Sequence, residues 1–158
     1  MLLSHKKLFA FLLVFISFIT ACETIGVFEK NVSIPNYEWS NSFRPEIAFE
    51  ISDTTSLYNI YIVLRHTDAY RYKNIYMNIY TQVPGDTVTK ARLDLQLATD
   101  DKGWLGSGMD DIFEHRILIN KGTFKKAGLY KYTLEQIMRE EPLQHIMNVG
   151  IRVEKVKE

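Results

Sequence analysis

Apolar and polar side chains alternate with a period of two along most of the chain. Ile47, Phe49 and Ile51 share one face of an extended segment, with Glu50 between them, and this spacing predicts a half-buried β-strand. The polar turn Asp53-Thr54-Thr55-Ser56 follows. In Leu57 to Arg65, Ile60, Ile62 and Leu64 fall on one face and Asn59, Tyr61, Val63 and Arg65 on the other. Bulk on both faces predicts a central strand. After a polar connection from His66 to Lys73, Ile75, Met77 and Ile79 alternate with Tyr76, Asn78 and Tyr80.

Pro84-Gly85-Asp86 is a turn signal. Beyond it Ala91, Leu93, Leu95 and Leu97 alternate with Arg92, Asp94 and Gln96, the clearest half-buried strand pattern in the chain. Asp100 to Asp111 reads as a Gly-rich loop around Trp104. Strand character resumes at Ile117 to Ile119 and over Gly128 to Met138, where Tyr130, Tyr132 and Leu134 share a face. Leu134, Ile137 and Met138 also fit helical spacing, Glu135 to Glu141 holds good helix formers, and Pro142 ends any helix before it. A strand running into a short helical turn is expected there. Val149, Ile151 and Val153, interleaved with Gly150, Arg152 and Glu154, form the last strand.

Seven or eight strands at near-regular intervals, without a long helical pattern, predict an all-β domain. The expected form is a single antiparallel β-sandwich of jelly-roll or immunoglobulin-like type. It is expected to span residues 32–158, with Pro35 to Trp39 as a loop or edge segment.

The first residues follow another rule. The basic head ending in Lys6-Lys7 precedes an uncharged apolar run from Leu8 to Ile19, and Thr20-Ala21-Cys22 comes next. This is the order of a secretory signal, with n-region, h-region and small-residue cleavage site; the run is short of the roughly 20 residues a spanning helix needs. An aliphatic residue, two small residues and Cys form the pattern of a bacterial lipoprotein signal, in which the thiol receives a diacylglycerol and becomes the acylated first residue. Residues 1–21 are then the signal, Cys22 the lipidation site, and 22–31 a tether. A plain signal peptide with an incidental thiol is the alternative, but it leaves an exported protein with its one cysteine unpaired. Lipidation removes that difficulty.

Removing the 21 signal residues from 158 leaves 137, enough for one compact domain. Lys6 and Lys7 go with them, so 17 basic residues face 19 acidic ones. That near-neutral balance carries no electrostatic footprint for nucleic acid. Membrane attachment falls to the lipid, since no second apolar run occurs. Glu23 and Glu29 are the only acidic residues of the tether; without an acidic cluster of the kind associated with surface export, a periplasm-facing position in the cell envelope is expected.

Candidate chemistry is sparse. His66, His115 and His145 are far apart in sequence and lack metal-ligand spacing. No nucleophile elbow, phosphate loop or dinucleotide fingerprint occurs. Asp100-Asp101, Asp110-Asp111 and Glu140-Glu141 read as solvated loop acids rather than a glycosidase pair. The loop from Asp100 to Asp111 has oxygen ligands for calcium but lacks the EF-hand order. We expect no enzyme activity, no cofactor and no resident metal. Trp104 is expected to fold back over one end of the domain, where its indole N–H needs a partner.

Aromatic residues give the remaining candidate surface. Tyr58, Tyr61, Tyr70, Tyr72, Tyr76 and Tyr80 crowd two consecutive strands and their connection, beside Arg65, His66 and Arg71. Tyrosine and arginine are enriched in interface cores. Together with Trp104 they form a candidate interaction surface, the alternative being that the tyrosines are buried against a second sheet.

The lipidation signal, Asp53-Thr54-Thr55, Leu57-Tyr58-Asn59, Leu64-Arg65, Trp104-Leu105-Gly106-x-Gly108-x-x-Asp111-Ile112, Gly128-x-Tyr130, Gln136-x-Met138-Arg139-x-x-Pro142-Leu143 and Val149 to Glu154 occur in this order. Over essentially the whole chain this set resembles the gliding-motility lipoprotein GldH family. The resemblance implies a small lipoprotein needed by the surface-gliding apparatus of certain Gram-negative bacteria, with no catalytic residues to carry over. Other envelope motility or secretion proteins are the expected partners, and the expected role is that of an accessory or assembly component. The alternative is a carbohydrate-binding lipoprotein of a glycan-uptake system, which would also use aromatics on a sandwich face.

Overall fold

The alternating segments are strands in the computed structural model, which describes residues 26–156. The chain runs through β1 (Val27–Ser33), β2 (Glu38–Trp39), β3 (Glu46–Ile51), β4 (Tyr58–Thr67) and β5 (Asn74–Gln82). It continues through β6 (Thr89–Gln96), β7 (Ala98–Thr99), β8 (Gly103–Trp104) and β9 (Ser107–Met109). The last four are β10 (Ile112–Gly122), β11 (Gly128–Gln136), β12 (Leu143–Gln144) and β13 (Ile146–Lys155). Eight of these have six residues or more, in keeping with the predicted seven or eight.

All pairings are antiparallel. One sheet has the order β1-β13-β4-β10-β9, a second β3-β11-β5-β6, and β12-β2 and β7-β8 make two short pairs. Both large sheets contribute to one apolar cluster: Ile60 and Ile62 of β4 and Ile151 of β13 from the first, Phe49 of β3, Ile79 of β5 and Leu134 of β11 from the second. The rings of Phe28 and Phe49, 5.2 Å apart, join strands of different sheets. Burying each such side chain contributes about 1.5–3 kcal/mol.

β4 is central, flanked by β13 and β10. Its outward face is covered too: Val63 is fully buried, beneath a sheet face whose charges are cross-linked. Arg65 pairs with Glu114, which also meets Arg116 at 3.0 Å, and Arg152 meets Glu29 at 2.8 Å.

Three expectations need correction. Residues 27–31, assigned to the tether, belong to β1, which pairs with β13 along its whole length. Lys30 interrupts the apolar alternation of Phe28 and Val32, and Phe28 packs against the core all the same. The segment from Ala91 to Leu97 is an edge strand rather than the clearest half-buried one: Ala91 is exposed, Leu93 half-buried, and only Leu95 of that face is buried within β6. The helical turn after Gln136 does not form. The buried Gln136 amide donates to Trp39 O at 3.1 Å and to Glu141 Oε2 at 2.8 Å, and its Oε1 accepts from Met138 N at 2.8 Å. These long-range bonds outweigh local helix propensity, and residues 139–142 bend through a cis Glu141–Pro142 bond into β12.

The two ends of the sheets differ. Tyr58 pairs with Gly122 and Lys155, Ile51 with Gly128, and Thr81 with Thr89, so Gly26 and the loops 52–57, 83–88 and 123–127 share one end. At the other end Leu97 N donates to Lys73 O at 2.7 Å, Asp68 N to Asp111 O at 2.7 Å and Thr67 N to His145 O at 3.1 Å.

Candidate functional site

The end away from Gly26 is built on the last residues of β4. The parity that buries Ile60, Ile62 and Leu64 continues to His66, and His115 of β10 lies on the same inner face, one diagonal step from it in the strand register. Both imidazoles are buried, and their Nε2 atoms are 2.9 Å apart. His66 Nδ1 lies 2.7 Å from Thr67 O. A carbonyl only accepts, so Nδ1 of His66 carries its proton and Nε2 is bare. His115 must then donate from Nε2, which leaves its Nδ1 as the open acceptor of the relay.

Burial disfavours the charged form of both rings. It lowers His66, against the opposing hydrogen bond to Thr67, and burial together with His66 lowers His115 to about 4. The pair is neutral at neutral pH. The two Nε2 atoms face one another rather than a common ligand, and among the described residues no group of three or more His, Cys, Asp or Glu could hold a metal ion.

Aromatic rings enclose the pair. Trp104 of β8 meets His66 edge-on at 4.4 Å, Phe113 of β10 lies 5.8 Å from His66, and Tyr70 lies 5.2 Å from it. Tyr72 is 5.6 Å from Tyr70 in a T-shaped contact. Burial first, then Tyr72 and Glu140, push the Tyr70 phenol up. Its hydroxyl donates to Asn74 O at 3.0 Å.

The glycines of Trp104-Leu105-Gly106-x-Gly108 explain how Trp104 arrives there. A Cβ on Gly106 would lie 2.5 Å from Glu114 O and 2.9 Å from His115 Cε1, and one on Gly108 would lie 2.8 Å from the Phe113 ring. Only a chain without side chains there can lie this close to β10. The loop leaves Leu105 and Met109 exposed, the latter by 75%, beside the half-buried Trp104. Asp100 precedes this segment and Asp110 and Asp111 close it, all three exposed. Asp100 is paired with Lys73.

The proposed surface residues are thus divided. Trp104, Tyr70 and Tyr72 are together, but Tyr70 is buried. Tyr58 is also buried, at the opposite end of β4, where its hydroxyl donates to Asp53 O at 3.0 Å and its ring meets Phe124 at 5.1 Å. Tyr61 and Arg65 lie half-exposed on the outward face of β4, Arg65 within the ion-pair lattice. Cys22 lies outside the described residues. The sequence pattern alone does not single out the His66–His115 pair, because His66 stands at the start of a polar connection. Extending the β4 and β10 alternation by one step on each strand places both histidines inside.

A second buried polar group lies on the other sheet. Glu135 accepts from Asn78 Nδ2 at 2.8 Å and the Tyr80 hydroxyl at 2.7 Å, and pairs with Arg44. Burial works to raise its carboxyl, but these bonds and the Arg44 charge outweigh it and hold the group below its ordinary range.

Comparison with known proteins places the chain among relatives of similar length. The family model described as GldH lipoprotein matches residues 26–153. The chain is similar to the gliding motility lipoprotein GldH homolog of Christiangramia forsetii, at 27% identity over 160 residues covering 96% of this chain and 97% of that protein. It is also similar to the gliding motility lipoprotein GldH of Flavobacterium johnsoniae, at 28% identity over 142 residues covering 85% of this chain and 88% of the relative.

Proposed function

The chain belongs to the GldH lipoprotein family, and from that premise we propose that it acts as an accessory or assembly component of a gliding-motility apparatus or of secretion machinery associated with it. The observation that carries this reading is the span of the family match, residues 26–153, which takes in both large sheets and the aromatic end. In this reading Cys22 bears the lipid, the domain faces the periplasm, and its role is binding rather than catalysis. The two sheets act as the halves of one sandwich, which the shared apolar cluster supports. Leu105 and Met109, exposed on the segment that follows Trp104, are the contact surface for an envelope protein. The glycan-binding alternative draws no support from either relative, and with Tyr58 and Tyr70 buried the tyrosines do not make one exposed platform.

Photo-crosslinking amino acids at Leu105 and Met109 in whole cells test the contact. Capture of envelope motility or secretion proteins from these positions, and not from Glu50 on β3, supports the reading. Equal capture from all three positions, or unchanged colony spreading by a gliding host that lacks the protein, overturns it.

A further inference from the structure

The place where the anchor joins the folded domain decides which end of the sheets meets the membrane. Gly26 is held at the end of β13, where Lys155 N donates to Gly26 O at 3.0 Å. Four residue steps separate Gly26 from Cys22. At 3.3–3.6 Å per residue they span at most about 14 Å, whatever their conformation. The ten residues of β4 rise about 33 Å, so a lipid on Cys22 keeps the Gly26 end near the bilayer, while the His66 end can stand well clear of it.

Charge is distributed along the same axis. At the Gly26 end Lys126 pairs with Asp86 at 2.7 Å and Lys155 with Asp53 at 2.8 Å. Lys121 and Lys125 are exposed there with no carboxylate partner among the described residues, and Leu57 and Val88 are exposed large apolar residues of the same end. The acidic pairs Asp100-Asp101, Asp110-Asp111 and Glu140-Glu141 all belong to loops of the opposite end. Anionic headgroups attract lysines within a Debye length and repel carboxylates, and aliphatic side chains settle at the headgroup boundary.

We propose that the Gly26 end docks on the anionic surface of the bilayer that holds the anchor, with Lys121 and Lys125 against lipid phosphates and Leu57 and Val88 at headgroup level. The sheets then stand off the membrane, and the Trp104 end points away from it, free for a partner. This rests on the reading of Cys22 as lipidated.

Amine-reactive labelling of the mature, lipidated protein tests it, with mass spectrometry to read each lysine. The protein is reconstituted in vesicles of phosphatidylcholine with phosphatidylglycerol, and the Cys22→Ser mature form in solution is the reference. Labelling of Lys121 and Lys125 is expected to fall several-fold on the vesicles while Lys102, at the Trp104 end, keeps its solution level. Protection should weaken in vesicles of phosphatidylcholine alone, and the K121E/K125E variant should stay anchored but lose protection at Lys126. Equal labelling at both ends, or protection centred on Lys102, overturns the docking while the anchor stands. A Cys22 peptide without the diacylglyceryl mass overturns the anchor itself and the docking with it.

Discussion

His66 and His115 share one hydrogen bond, Nε2 to Nε2 at 2.9 Å, inside an otherwise aromatic end of the fold. Because His66 gives its Nδ1 proton to Thr67 O, an added proton has only His115 Nδ1 to occupy, and there it would be a charge in a buried site. Both folded pKa values are lowered from 6.5, that of His115 to about 4. Below pH 6.5 the unfolded chain therefore binds protons that the native pair refuses. The stability of the neutral pair is complete above pH 6.5 and is lost as pH falls toward about 4, a change of roughly 2–3 kcal/mol. Carboxylates held low by hydrogen bonds, Glu135 among them, lose stability in acid as well, so the test is a comparison. Thermal unfolding followed from pH 7 to 4 should show a steeper fall in Tm for the natural protein than for His115→Gln, whose amide still donates to His66. Parallel curves would refute the assignment.

Gly106 sets how closely the Trp104 loop lies on β10. Gly106→Ala places a Cβ 2.5 Å from a backbone oxygen that cannot rotate away, and the loop must lift. A cost of about 1–3 kcal/mol is expected for this overpacking, together with a red shift of Trp104 fluorescence as its ring leaves His66. Gly122→Ala meets nothing within 4 Å and serves as the control, with unchanged Tm and spectrum.

The strand segments were legible because period-two alternation reports burial directly: β3, β4, β5, β11 and β13 fall where Ile47, Ile60, Ile75, Tyr130 and Val149 indicate. What was hidden depends on partners distant in sequence. β6 alternates as well as any strand, yet alternation does not say that a strand will lie at a sheet edge with Ala91 exposed. Glu135 to Glu141 is helical by local preference, but the Gln136 amide finds Trp39, 97 positions away. The candidate surface was half legible for the same reason. Tyr58 and Tyr72 are alike in composition and near in sequence, and only the course of β4 sends them to opposite ends.

β1 is held by its backbone pairing and by a close approach over β13. A Cβ on Gly150 would lie 2.0 Å from Asn31 Oδ1 and 2.3 Å from Lys30 O, and the second of these is backbone. Gly150→Ala should push β1 away from β13, cost about 1–3 kcal/mol, and open residues 27–33 to proteolysis. Limited digestion of the folded protein should cut the variant in this segment and spare the natural chain. If the variant resists as well, β1 is not seated by this contact.

Leu105 and Met109 separate function from folding. Both side chains are exposed and neither belongs to the core, so Leu105→Arg and Met109→Asp should each change stability by no more than about 0.5 kcal/mol, as surface substitutions away from special geometry do. A buried interface apolar residue replaced by a charge leaves that charge desolvated and unpaired in the complex, which costs far more than the lost contact. The double variant should therefore fold, with unchanged Tm, and fail to restore colony spreading to a gliding host lacking the protein. His115→Gln, which lies beneath the surface, should restore it. Full restoration by L105R/M109D would remove the Trp104 loop as the contact and leave the outward face of β4, with Tyr61 and Arg65, as the surface to test.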